Sequence, residues 1–457
     1  MDPGGAFAKH LLFPLQCLWE RNTVPRHLAD LEQTQWRTQD EIRDLQLGRM
    51  QHLLDHAYGN SPFWRRRLDA AGFGPGDLTS LEQVAELPVL TKQDIREHAQ
   101  AMVDTTADTS KLMRDKTGGS TGEPLNFMRT ADRDSSRVAA AIRHDRWTGW
   151  DIGDKAAYIW GHPRDLAAQA SRRRQLRRRF LERRIILDTS SLSRDRLAEF
   201  RDELLDFRPV VYIAYANSLY LYARFLEETG GDWHRPGAVI TSAEVLDPDR
   251  RAVIERVFDC KVFDRYGSRE TGVIASECEA HDGMHLCAEH LYVEFARDGR
   301  PVAPGEQGRL LVTDLSNPVM PFIRYEIGDV GAPHAGGACT CGRGLPRMEM
   351  AAGRVTDFLL TPAGSIVSGA ALTIYLIANA PGVAQAQLVQ EVRERILIRV
   401  VAGEGYGDAT HAFFAQQIPR FFGPDMKYDV EEVAGIPSEA SGKHRFSICK
   451  LDPTELF

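Results

Sequence analysis

The chain has 457 residues, 43% hydrophobic and 26% charged, enough apolar side chains for more than one buried core, so two or more domains are expected. Its formal net charge of -8 argues against nucleic-acid binding and for work on small molecules. The apolar run Leu11 to Trp19 contains Pro14, is too short to cross a bilayer and lacks a basic leader, which predicts a cytoplasmic protein with no integral membrane segment.

In chain order, Leu45, Leu47, Met50, Leu53 and Leu54 fall at helical spacing and predict a helical N-terminal region of about 110 residues. Ser61-Pro62-Phe63-Trp64 reads as a turn with an aromatic plug. Leu87 to Leu90 reads as an extended segment, followed by a helix capped at Thr91. Lys116 to Pro124, KTGGSTGEP, interleaves Gly118, Gly119 and Gly122 with Thr117, Ser120 and Thr121. Such a backbone turns tightly and presents N–H groups and hydroxyls to an anionic oxygen, which is phosphate-handling chemistry. It is not a Walker A loop, because Glu123 and Pro124 stand where that pattern needs its lysine and hydroxyl.

Asp132 to Trp147 is a predicted helix and Ala156 to Trp160 a short buried strand. Ser171 to Arg184 is a basic helix, either a solvated face or a contact for the phosphates of a nucleotide co-substrate. Val210 to Ala216 and Ala238 to Thr241 are predicted strands, with a helix carrying Leu219, Tyr220, Tyr222, Phe225 and Leu226 between them. This alternation predicts an α/β core, and Tyr212, Tyr215 and Asn217 fall where a strand gives way to a loop.

Further on come Thr241-Ser242-Ala243-Glu244, then Tyr266-Gly267-Ser268-Arg269-Glu270-Thr271 after a strand through Val262 and Phe263, then Arg324 to Asp329. A carboxylate such as Glu270, just past a strand and beside a glycine turn, is suited to Mg²⁺ bridging phosphates, although alone it is equally a helix cap. Asp329 is suited to a ribose diol.

The order KTGGSTGEP, TSAE, YGSRET, RYEIGD, Gly353-Arg354 with Asp357, and Ser441-Gly442-Lys443 resembles the adenylate-forming superfamily of acyl-CoA synthetases and ligases. Within it, LPVLTKQDIREH and the paired ECEAH and CTCGR segments are similar to the phenylacetate-CoA ligase family and its relatives in capsule and natural-product biosynthesis. The resemblance implies a large N-terminal α/β domain, residues 1–353, and a small mobile α+β C-terminal domain, residues 354–457. It also implies activation of a carboxylic acid, aromatic by the tyrosines above, with ATP and Mg²⁺ to an acyl-adenylate, followed by transfer to coenzyme A.

Residue by residue, the resemblance puts Gly119, Ser120, Thr121 and Gly122 around the β- and γ-phosphates, with Thr121 counted as catalytic. Ala243 and Glu244 would lie along the adenine, and Tyr266 would stack near the base within a nucleotide-binding segment that includes Gly267 and Ser268. Glu270 would support Mg²⁺, Asp329 and Arg354 would hold the ribose, and Lys443 would stabilise the attacking carboxylate and the α-phosphate.

Two departures bear on the acceptor. Thr356 stands where the family commonly has an acidic hinge residue, and Thr361 to Ser368 is unlike the usual loop of the thiol tunnel. An amine, a hydroxyl or a carrier protein is therefore the alternative acceptor, and a catalytically inactive nucleotide-binding protein is the alternative of another class. A homodimer is the base-rate expectation.

The seven cysteines, odd in number and unevenly spaced, are not a disulfide framework. Cys278-x-x-His281 and Cys339-x-Cys341 supply a candidate ligand set for a structural Zn²⁺, with His285, Cys287 and His290 as substitutes. Cys17, Cys260 and Cys449 read as apolar fillers.

Overall fold

A computed structural model describes residues 2–116, 125–160, 182–188, 194–242, 246–354, 358–363, 366–368, 372, 376–377, 380–436 and 447–451. Helices dominate the first hundred residues. The helix Gln39–Asn60 starts in a capping box, Thr38 with Glu41, and buries Ile42, Met50, Leu53, Leu54 and Ala57 at helical spacing. Its Gln46 amide donates to the carbonyls of Ala288 and Leu291, both at 3.0 Å, so a buried polar side chain ties this layer to the sheet.

Ser61 to Trp64 is a helix start rather than a turn. Ser61 caps the helix Pro62–Ala70, and the proline sits in the first turn, where no backbone N–H is needed. The aromatic plug is real: Trp64 is fully buried and its indole N–H donates to the Pro321 carbonyl at 2.9 Å. As expected, Leu87 has extended backbone, Leu90 bridges to Tyr325, and Thr91 caps the helix Lys92–Met102 through a capping box with Asp94.

Among the described residues, twelve strands form the main sheet. Lys261–Ser268, Ala238–Ser242, Val211–Tyr215, Ala156–Trp160 and Arg184–Asp188 run parallel and adjacent in that order. Alternation divides their side chains between two cores: Ala157, Tyr212, Ala214 and Val239 face one, Val211, Ile213, Ala238 and Ile240 the other. The remaining strands are antiparallel and include Gly308–Asp314, Tyr325–Pro333 and Arg347–Arg354.

A separate four-stranded sheet, in the order Lys427–Glu432, Arg395–Ala402, Val383–Val392 and Ser447–Cys449, packs with the helix Asp408–Phe422 around Leu388, Ile396, Ile398, Val400, Phe414 and Ile418. The protein is thus mixed α/β, with large sheets and a smaller C-terminal sheet unit. Among the described residues no helix is long and apolar enough to cross a membrane.

Candidate active site and metal centre

The glycine-rich stretch connects two short strands. Met113–Lys116 pairs antiparallel with Asn126–Arg129, and Lys116 opposite Asn126 is the last rung. Gly119, Ser120, Thr121 and Gly122 lie outside the described residues. The stem is clamped by Arg129, whose guanidinium donates to Asp115 at 3.0 Å and to Asp134, in the following helix Ala131–Arg146, at 2.9 Å. Forked donation to two carboxylates holds a planar guanidinium in one orientation, so stem and helix share a fixed geometry.

Tyr266, Gly267 and Ser268 are the last residues of the strand Lys261–Ser268, not a loop after it. Arg269, Glu270 and Thr271 make the turn into the strand Gly272–Glu277. Gly267 is required by close approach, since a Cβ there would meet the Gly272 carbonyl oxygen at 2.5 Å. The Ser268 hydroxyl accepts from the Thr271 N–H at 3.2 Å and tightens the turn.

Two contacts join this segment to the strand Tyr325–Pro333. The Tyr266 hydroxyl donates to Asp329 Oδ2 at 2.5 Å, and the Tyr325 hydroxyl donates to Glu270 Oε1 at 3.2 Å. Asp329 pairs in register with Arg354 on the neighbouring strand. Four residues singled out from the sequence, Tyr266, Glu270, Asp329 and the backbone of Arg354, are therefore brought together. Ala243, Glu244 and Lys443 lie outside the described residues, as do Thr356 and Asp357 at the expected hinge and most of the basic stretch 171–184.

Thr241, which leads into that undescribed segment, donates through its hydroxyl to Asp264 Oδ1 at 2.8 Å. Burial pushes the Asp264 carboxyl up to about 7, against this hydrogen bond. Its neighbour Glu277 moves the other way, held below the usual range despite burial by His281, Arg251 and the Asp264 N–H. Arg251 grips Glu277 at 2.8 and 2.9 Å.

At the carboxyl ends of the parallel strands stand two aromatic rings, Trp160 and Tyr215, with centroids 4.1 Å apart and planes 33° from parallel. Ser242 is opposite Tyr215. Ligands of open α/β sheets bind outside this edge. Tyr212, by contrast, is inside its strand with its hydroxyl 3.0 Å from His234 Nδ1, and Tyr220 packs against the same core; neither is at the edge. Trp160 was not singled out from the sequence, although its place as the last residue of a predicted strand was the available signal.

The cysteine-rich segments meet as expected, with one correction. Cys278, His285, Cys339 and Cys341 each offer a ligand atom, and these atoms all lie within 4.8 Å of one another. His281 is not among them: its backbone is left-handed at φ 50°, its Nδ1 is 3.4 Å from Glu277 Oε2 and its ring lies 4.7 Å from that of Phe263. Cys287 lies near His290 instead, at 3.9 Å. The Cys278 and Cys339 sulfurs are 3.7 Å apart, against about 3.8 Å for the edge of a tetrahedron with zinc–sulfur bonds of ~2.3 Å. His285 Nε2 is 3.3 Å from Cys341 Sγ, while its Nδ1 donates to the Leu345 carbonyl at 3.0 Å. That hydrogen bond selects the tautomer whose Nε2 lone pair faces the thiols, and burial draws the imidazole down to about 4, keeping it neutral. The residues present fit a tetrahedral soft-metal site.

This centre also fastens the N-terminal layer. Arg343, next to Cys341, donates to Gln35 Oε1 at 3.2 Å and lies over the rings of Trp36 and Trp147. Gly344 allows the contact, since a Cβ there would sit 1.8 Å from the Arg37 carbonyl oxygen.

The family model described as the CapK C-terminal domain matches residues 359–450. The phenylacetate-coenzyme A ligase of Escherichia coli (strain K12) is 28% identical over 331 residues, 70% of this chain and 73% of that protein. Protein CapK of Staphylococcus aureus is 22% identical over 428 residues, 90% of this chain and 89% of its own. In three dimensions the chain is similar to 2-hydroxyisobutyryl-CoA ligase in the postadenylation state, with a TM-score of 0.69 at 21% identity, covering 92% of this chain and 91% of that one. The chain is thus a relative of the phenylacetate-coenzyme A ligases and of CapK, and it carries the fold of the adenylate-forming ligases.

Proposed function

We propose that this protein is an ATP-dependent, AMP-forming ligase that activates a carboxylic acid as its acyl-adenylate and passes the acyl group to coenzyme A. The observation that carries this reading is the junction of Tyr266 with Asp329, one turn away from Glu270, on a chain with phenylacetate-coenzyme A ligases among its relatives. A phenol anchored on a carboxylate offers a flat face for a purine, while Asp329, opposite Arg354, is suited to ribose hydroxyls.

In the first half-reaction an oxygen of the substrate carboxylate bonds to the α-phosphorus of ATP, and the bond to pyrophosphate breaks. Glu270 would hold Mg²⁺, which neutralises charge on the phosphates. Ser120, Thr121 and the N–H groups of Gly119 and Gly122 would receive the departing pyrophosphate, and Lys443 would stabilise charge at the α-phosphate. In the second, the thiol sulfur of coenzyme A bonds to the acyl carbon, its proton is released and AMP departs. Ala243 and Glu244 would line the adenine.

The acid is aromatic in this reading. The Trp160–Tyr215 pair, at the edge where α/β folds take their ligands, supports a flat apolar acyl group. The residue Thr356 at the hinge keeps an amine, hydroxyl or carrier-protein acceptor as the second reading. Cys278, His285, Cys339 and Cys341 would hold a structural Zn²⁺ with no open position.

The test is pyrophosphate release from ATP and Mg²⁺ across a panel of aryl and aliphatic acids, with and without coenzyme A. Turnover that requires coenzyme A and yields an acyl-CoA by mass spectrometry is the expected result. Adenylate formation indifferent to coenzyme A would select the second reading.

A further inference from the structure

The turn that carries Glu270 is held from behind by the helix that follows the glycine hairpin. Arg133 Nη2 donates to the Thr271 carbonyl at 2.8 Å, and Arg137 Nη2 donates to the Arg269 carbonyl at 2.8 Å. The carbonyls of the residues on either side of Glu270 are thus occupied by guanidinium groups one helical turn apart on a single helix, Ala131–Arg146.

Arg133 is buried and fully engaged: Nε donates to Asp314 Oδ2 at 2.9 Å and Nη1 to the Ser136 hydroxyl at 2.9 Å. Asp314, itself buried, ends the strand Gly308–Asp314, which pairs with the strand carrying Asp329. Burial draws Arg137 down to about 10, so it stays cationic at neutral pH. At the same end of the helix, between the two arginines, Asp134 receives Arg129 of the hairpin stem.

We infer that Arg133 and Arg137 are positioning residues that set Glu270 in register with the hairpin stem held by Arg129 and with the strand that carries Asp329. The physical reason is that a turn of three residues has its own backbone freedom, and a carboxylate must sit within a few tenths of an ångström to bridge a cation to a phosphate. A lysine in place of Arg133 carries its donors on one nitrogen and cannot span the three acceptors that Nε, Nη1 and Nη2 reach. The inference rests on the reading of Glu270 as a Mg²⁺ support.

The test needs no knowledge of the acid. Calorimetric titration of the full chain with ATP, in excess Mg²⁺ and in a chelator, measures the Mg²⁺-dependent gain in affinity; titration with AMP, without Mg²⁺, serves as the comparison. Arg137→Ala and Arg133→Lys are expected to lose about tenfold of that gain, the worth of a hydrogen bond from a charged donor, with AMP affinity unchanged. Glu270→Gln should lose it too. If both arginine variants keep the wild-type gain while Glu270→Gln loses it, the brace is overturned and the ligase reading stands. A parallel fall in AMP affinity in the arginine variants overturns it as well, because the effect would then be general to the fold. Should Glu270→Gln keep the gain, or wild type show none, the role of Glu270 fails and this inference with it. If Arg133→Lys does not fold, Arg137→Ala, on a partly exposed side chain, decides the matter.

Discussion

The Tyr266 hydroxyl touches the Asp329 carboxylate at 2.5 Å although three strands stand between theirs in the sheet. In a flat sheet that separation is about 19 Å, four strand spacings of ~4.8 Å. The sheet must therefore curve back on itself here, which brings the Tyr266 ring, the Asp329 carboxylate and the Glu270 turn to one place. Tyr266→Phe keeps the ring and removes the anchor, and should weaken ATP binding about tenfold. Asp329→Asn should also reduce discrimination between ATP and 2′-deoxy-ATP, read by competition titration; unchanged discrimination would remove Asp329 from the ribose.

Lys443→Ala should abolish adenylate formation while ATP still binds. Pyrophosphate release on the best acid of the panel, together with ATP titration, reads both. Wild-type release from the variant would unseat the C-terminal lysine.

Metal analysis of the purified protein should find about one zinc per chain. His285→Ala should lose it and unfold at lower temperature, because Arg343 and Gly344 attach the N-terminal layer next to the centre. His281→Ala, on a residue that faces Glu277, should retain the metal. The reverse pattern would restore His281 as the ligand.

Asp264→Asn should stabilise the protein at alkaline pH. The folded carboxyl is pushed up to about 7 by burial, from an ordinary value near 3.8. Between those values the folded chain binds more protons than the unfolded one, so stability falls as pH rises through this window and the full cost is present above it. The gain from the variant should be at most about 4 kcal/mol above pH ~8 and should vanish toward pH ~4, measured by denaturant unfolding. Arg251, Glu277 and His281 surround the site and are unchanged in the variant.

Glu289→Ala should be strongly destabilising with no direct effect on nucleotide. Arg143 and Glu289 form an ion pair at 2.9 Å with side chains 0% and 1% exposed. Removing one partner strands a buried charge, at a cost of about 3–5 kcal/mol, which the same unfolding measurement reads.

Much of this was legible along the chain because the signals are local. Short apolar runs located the strand Ala156–Trp160 and, one residue wide at each end, Val211–Tyr215, and the Thr91 cap was visible as a hydroxyl ahead of an acidic residue. The same locality misled at Ser61 to Trp64, where Ser-Pro serves a helix start as well as a turn.

By itself, the sequence determined that the chain is α/β, that glycine and hydroxyl residues are gathered in one stretch, and that its motifs run in the order of the adenylate-forming ligases. Only the tertiary structure decided which histidine joins the cysteines, which tyrosine stands at the sheet edge, and which arginines hold the Glu270 turn. His281 is three residues from Cys278 yet faces away, whereas His285 is aimed by the carbonyl of Leu345, sixty positions on. Propensity and spacing act over a few residues; ligand sets, anchors and braces are made by strands and helices that meet only when the cores close, and their partners carry no mark of one another in the linear chain.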